Sequence, residues 1–169
     1  RNHMEDRWHA SLDLVSNFGS SWVESDVKAP TACFGVFDGH GGSACSEEIS
    51  RLIPELLCAD PSFGSRLSSA CRETFKKVNQ LFLQRAEERG LSDGSTGIVA
   101  LLRRNQIVVA NVGDSRAVLV SQARAIPLSR DHKPSFPQER KRILKRGGHV
   151  ALCNGVARVQ GVLAVSRAF

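Results

Sequence analysis

An α+β fold, antiparallel sheet flanked by helices, is predicted by three observations on this 169-residue chain. A short apolar run, residues 31–37, is bounded by glycine-rich punctuation and reads as a buried strand. Two amphipathic helical patterns then follow in succession, which is incompatible with a simple strand-helix-strand repeat. From Ser95 onward the period shortens to β-branched runs separated by turns. Those runs are nearly continuous in apolar character, as strands covered by a second sheet on one face and by helices on the other would be.

In chain order, Ala10, Leu12 and Leu14 alternate with Ser11 and Asp13, the pattern of a half-buried strand. Residues 17–30 are polar, rich in Gly, Ser and Asp, and read as a hairpin or loop. A helix is predicted over 43–59, because Ile49, Leu52, Ile53, Leu56 and Leu57 share one face. Asp60-Pro61 resets the chain, and a second helix is predicted over 62–89 on the stripe Leu67, Cys71, Phe75, Val78 and Phe82. Gly90 is its C-terminal cap. Strands are predicted at 96–102, 106–112 and 116–120, with Arg103-Arg104-Asn105 and Gly113-Asp114-Ser115 as turns. A short helix opens on a capping box from Ser135 and Gln138 and stops at Gly147-Gly148. Weaker strands are predicted at 150–153 and 162–165.

The chain is long enough for one domain with a core, and no apolar run approaches a membrane span. Its five cysteines, Cys33, Cys45, Cys58, Cys71 and Cys153, lack zinc-site spacings and read as small buried hydrophobes in a reducing compartment. A cytoplasmic or nuclear location is expected, with the reservation that the chain starts at Arg1 and a targeting segment would precede it. The formal charge of +6 divides into −3 over residues 1–90 and +9 over residues 91–169. That basic half fits a nucleic-acid or phosphate-binding surface by charge alone. Its aromatics are only Phe136 and Phe169, however, too few for base stacking, so no nucleic acid is expected as partner.

The chemistry concentrates in Cys33-Phe34-Gly35-Val36-Phe37-Asp38-Gly39-His40-Gly41-Gly42. The strand delivers Asp38 at its end, a glycine follows that permits close backbone approach, and an imidazole comes next. Asp38 and the Gly39 carbonyl suit a hard cation, with His40 beside them for proton transfer. Taken alone, the segment reads more simply as a strand-to-helix turn. It is not a calcium loop of the helix-loop-helix kind, since Ser43 and Ile49 stand where Gly and Glu are needed. No Walker-type lysine loop and no Gly-x-Ser-x-Gly elbow occur.

Taken together, eight short segments resemble the metal-dependent type 2C protein serine/threonine phosphatases. They are Arg1-x-x-Met4-Glu5-Asp6, Val36-Phe37-Asp38-Gly39-His40-Gly41-Gly42, Asp93-Gly94-Ser95-Thr96, Asn111-Val112-Gly113-Asp114-Ser115-Arg116 and Asp131-His132-Lys133-Pro134, then Glu139-Arg140, Gly147-Gly148 and Leu163-Ala164-Val165-Ser166-Arg167-Ala168. The resemblance implies a four-layer α-β-β-α sandwich with a two-metal centre between the sheets. It implies that Glu5, Asp6, Asp38 and the Gly39 carbonyl bind Mg²⁺ or Mn²⁺, and that Asp114 serves an additional, weaker ion. It further implies that Arg1 holds the substrate phosphate and His40 protonates the leaving alcohol. The implied reaction is hydrolysis of phosphoserine and phosphothreonine in proteins by a metal-bridging hydroxide, in a monomer.

The resemblance runs over residues 1–169 as the first two thirds of the family's catalytic domain. Two later aspartates that complete the family's metal centre are not among these residues, so a C-terminally truncated domain with little activity of its own is expected. The alternative reading is a catalytically dead homologue that binds phosphoproteins without hydrolysing them. Retention of every family position within the covered span favours the enzyme.

Overall fold

The computed structural model describes residues 4–18 and 29–169. In chain order it comprises β1 (Arg7–Ser11), α1 (Leu14–Phe18), β2 (Thr31–Phe37), β3 (Gly39–His40), α2 (Ala44–Ala59) and α3 (Leu67–Arg89). These are followed by β4 (Gly94–Ser95), β5 (Gly97–Arg103), β6 (Gln106–Val112), β7 (Val118–Ser121), β8 (Arg124–Pro127), α4 (Pro137–Lys145), β9 (Val150–Cys153) and β10 (Val156–Val159).

Among the described residues, one antiparallel sheet of order β1-β2-β5-β6 forms the frame, and the other strands make two-stranded ribbons, β3-β4, β7-β8 and β9-β10. The α+β class with antiparallel sheets and helices is therefore as expected. Alternation along β2 and β5 sends Cys33, Phe37, Val99 and Leu101 to one face, all almost fully buried. That face packs under α2, through Cys45, Ile49, Ile53 and Leu57, and under α3, through Leu67, Ala70, Cys71, Val78 and Phe82. The opposite face is not covered as the sequence suggested. Trp8 is 76% exposed and Val36 51%, with Phe34, Leu102 and Ile107 also open to solvent. The thiols lie on the packed side, where burial pushes Cys33 and Cys45 up to about 12 and Cys58 and Cys71 up to about 11. They are free and un-ionised, as small hydrophobes should be.

Several local expectations are corrected. The first strand lies earlier than residues 10–14, because Asp13 accepts the Val15 N–H and the Ser16 hydroxyl and starts α1 instead. The second helix begins at Leu67 rather than near 62. Asp60 Oδ1 accepts the Ser62 N–H, and Arg103 takes the carbonyls of Phe63 (2.7 Å) and Gly64 (3.1 Å), so this segment closes as a turn. Arg103 also donates to Thr31 Oγ1 and lies 4.5 Å above the Phe63 ring, binding the turn to the end of the sheet. Gly90 does cap α3 in the left-handed conformation, φ 64°. No capping box forms at Ser135: Phe136 occupies the N-cap, Pro137 the first turn, and Gln138 Oε1 accepts from Arg130 instead. Residues 162–165 make a tight turn with the single bridge Val159↔Leu163 rather than a strand.

α4 is fixed to the C-terminal segment by one carboxylate. Glu139 accepts from Arg167 Nε (2.9 Å) and Nη2 (2.7 Å), from Arg142 (2.9 Å) and from the Ser166 hydroxyl (2.7 Å). Arg167 foremost, then Ser166 and Arg142, hold its carboxyl down to about 2 despite burial. This depressed value contributes stability that is present above the unfolded carboxyl's range, near pH 4.5, and is lost as pH falls toward 2. Glu139→Gln should lower stability by about 2 kcal/mol at neutral pH and flatten the acid limb of the unfolding midpoint between pH 4.5 and 2, read by circular dichroism. Arg103→Ala should cost about 2–3 kcal/mol in urea denaturation, because it frees the 60–66 turn and bares Phe63.

Candidate active site

β1 and β2 pair antiparallel with Arg7 opposite Phe37. The paired register ends there, and the two chains run on into Glu5-Asp6 on one side and Asp38-Gly39 on the other. The main chains meet closely there: a Cβ on Gly39 would lie 2.4 Å from the Glu5 carbonyl oxygen. Residue 39 is thus confined to glycine by space rather than by its φ angle. The strands so bring Glu5, Asp6, Asp38 and the Gly39 carbonyl, remote in sequence, to one end of the sheet.

Asp38 is anchored through its backbone. Its N–H donates to Thr96 Oγ1 (3.1 Å), and its carbonyl accepts the Thr96 N–H (2.9 Å). Thr96, 2% exposed, also shares a 2.7 Å hydroxyl contact with Ser115. The turn bearing Asp114 therefore faces the Asp38 end of the sheet, the condition under which that turn residue gains significance. In this structure the Asp114 carboxylate is ion-paired with Lys133.

That turn is clasped by residues 129–133. Arg116 grips Asp131 through two bonds, 2.9 and 2.7 Å, and this pairing holds the Asp131 carboxyl below the usual range. His132 donates its N–H to the Gly113 carbonyl and accepts the Gly113 N–H at Nδ1. Burial foremost, and then Arg167, lower the His132 pKa, consistent with that acceptor role.

His40 pairs with Gly94 across β3-β4, and a Cβ on Gly94 would lie 2.6 Å from His40 Nε2. It borders a cleft of about 340 Å³ with Asp93, Gly94, Arg167 and Phe169. Phe169 exchanges two backbone hydrogen bonds with Ser95 and closes one side. α2 begins beside the same cleft. Its N-cap Ser43 makes no side-chain bond, and Asp93 Oδ2 accepts the Cys45 N–H from across the chain (2.8 Å).

Glu5, Asp6, Asp38 and Gly39 thus fall at one end of the sheet, with the Asp114 turn linked through Thr96 and Ser115, while the cleft beside His40 is lined by none of the three acids Glu5, Asp6 and Asp38. Arg1 lies outside the described residues. Among the described residues, no group of three or more His, Cys, Asp and Glu side chains gathers in metal-holding geometry. The fit to a hard divalent cation therefore lies in the oxygen donor types and their shared location. Thr96, Asp93 and Asp131 belong to the quoted motifs, but nothing in their spacing announces a carboxylate-anchoring threonine, a distant helix cap or a turn clasp.

Residues 1–169 match the Protein phosphatase 2C family. A rice relative, "Probable protein phosphatase 2C 52", is 48% identical over 160 residues, covering 95% of this chain and 32% of its own length. The Arabidopsis thaliana "Probable protein phosphatase 2C 59" is 39% identical over 169 residues, with 100% and 50% covered. Among solved structures, a C. elegans sex determining protein superposes with a TM-score of 0.86 at 28% identity, covering 99% of this chain and 41% of its own. The serine-threonine phosphatase 2C from Toxoplasma gondii gives 0.77 at 25% identity, with 94% and 56% covered. The chain spans about a third to a half of the length of these curated relatives. On sequence and on fold alike, the chain belongs to the protein phosphatase 2C family.

Proposed function

We propose that this chain supplies the metal-binding and proton-donating part of a phosphatase that hydrolyses phosphoserine and phosphothreonine in proteins. The observation that supports the reading is the close approach of the Glu5 carbonyl to Gly39, just beyond the last β1-β2 pair of Arg7 with Phe37. Glu5, Asp6, Asp38 and the Gly39 carbonyl would hold Mg²⁺ or Mn²⁺, since all are hard oxygen donors. Divalent ions bound there supply an activated water and neutralise charge on the phosphate. Asp114 would serve a further ion once its carboxylate exchanges Lys133 for it.

The rest of the chemistry falls to the chain's own groups. His40, beside the cleft, protonates the departing serine or threonine oxygen. Arg1 presents a planar fork to the phosphate oxygens. Asp38 needs a fixed main chain to bind cations reproducibly, and its two bonds to Thr96 support that demand. Glu5, Asp6 and Asp38 would leave part of each cation's coordination to water.

Added Mn²⁺ should raise the unfolding temperature of the chain, and Asp38→Asn should abolish most of that rise; a rise equal to wild type would sink the ligand assignment. His40→Ala should reduce Mn²⁺-dependent turnover of a phosphoserine peptide by about 10²–10⁴-fold, with a far smaller loss on an aryl phosphate whose leaving group needs no proton. Equal losses on both substrates would remove His40 from the proton-donor role.

A further inference from the structure

The segment bearing Glu5 and Asp6 lies beyond the last paired rung of β1, so strand pairing alone does not fix its main chain. α2 supplies the missing hold. Ser46, fully buried in the first turn of α2, donates its hydroxyl to the Glu5 carbonyl at 2.5 Å. A helical serine ordinarily bonds back to its own helix, and here that partner, the Ser43 carbonyl, is the longer contact at 3.0 Å. The same turn of α2 offers Glu47 to Arg7 at 3.3 Å, and the Arg7 guanidinium also donates to the carbonyls of Met4 (3.1 Å) and Asp6 (2.9 Å). A Cβ on Gly39 would stand 3.0 Å from Ser46 Oγ as well as 2.4 Å from the Glu5 carbonyl. The serine hydroxyl, the Glu5 carbonyl and the Gly39 backbone therefore meet at one packed point.

We propose that Ser46 is a positioning residue for the cation site: its hydroxyl locks the Glu5 carbonyl to α2 and so holds the Glu5-Asp6 carboxylates against the Asp38-Gly39 turn. This inference rests on the divalent-cation reading above. Ser46 touches neither substrate nor the reacting atoms. Its effect is on how much main-chain freedom the two acids must lose when an ion binds. Without the hydroxyl, that ordering falls on the cation itself, and affinity drops.

Mn²⁺ is titrated by calorimetry into the wild-type chain and into Ser46→Ala, Ser46→Cys and Ser50→Ala, with hydrogen exchange measured on the metal-free proteins. Ser50 donates to Glu47 from the next turn, away from the 4–7 segment, and so controls for loss of a helix hydroxyl. Ser46→Ala and Ser46→Cys should raise the Kd for Mn²⁺ by about 3–10-fold and speed amide exchange at residues 5–8, whereas Ser50→Ala should do neither. Unchanged exchange at 5–8 in Ser46→Ala, or equal Kd increases in Ser46→Ala and Ser50→Ala, would overturn the proposal. If wild type takes up no Mn²⁺ while Ser46→Ala still speeds exchange, the clamp stands and the cation reading fails.

Discussion

The register of β1 on β2 is the constraint from which the rest follows. With Arg7 opposite Phe37, Phe37 points into the core beneath α2 and α3, and Asp38 emerges at the end of the strand. A slip of one residue would reverse every side chain on β1, sending Trp8 toward the helices and setting Asp6 against Phe37. The close meeting of Glu5 and Gly39 excludes such a slip, because only that alignment seats a residue without a Cβ beneath the Glu5 carbonyl. Packing and chemistry thus share one determinant.

The uneven charge gains a structural meaning. The basic half has four acids, Asp93, Asp114, Asp131 and Glu139, and each is engaged. Asp93 caps α2, Asp114 pairs with Lys133, Asp131 with Arg116, and Glu139 with Arg142 and Arg167. These carboxylates fasten turns and helices around the sheet end, and their arginine forks give geometry as well as charge. Four of the thirteen basic residues in this half, Arg116, Lys133, Arg142 and Arg167, are thereby partners for its own acids.

How far the sequence could be read depended on how local each signal was. The strands over 31–37, 106–112 and 150–153 coincide with their predicted bounds, since apolar runs between turn residues are local features. Asn154-Gly155 was a legible hairpin turn that the sequence reading passed over; both residues have positive φ, and β9 and β10 pair around it. The β7-β8 turn, Gln122-Ala123, adopts the same backbone with residues that give no such signal, so it was not legible. The start of α3 was misplaced because Arg103, some forty residues away, decides it. Asp38 was legible as a carboxylate delivered at the end of a strand, whereas Glu5, Asp6 and Asp114 were named through family resemblance; what gathers them, the Glu5–Gly39 approach and the Thr96-Ser115 link, is tertiary. Ser46 escaped notice because a serine in a helix's first turn is commonplace.

The open side of the four-stranded sheet, with Trp8, Val36 and Phe34 facing water, shapes the energetics of the chain as well as its surface. Unfolding exposes little new apolar area from that side, so the heat capacity increment and the denaturant dependence per residue both fall below those of a domain whose sheet is covered twice. A smaller heat capacity increment makes the dependence of stability on temperature flatter. Any layer laid over those side chains would steepen that curve and deepen it together.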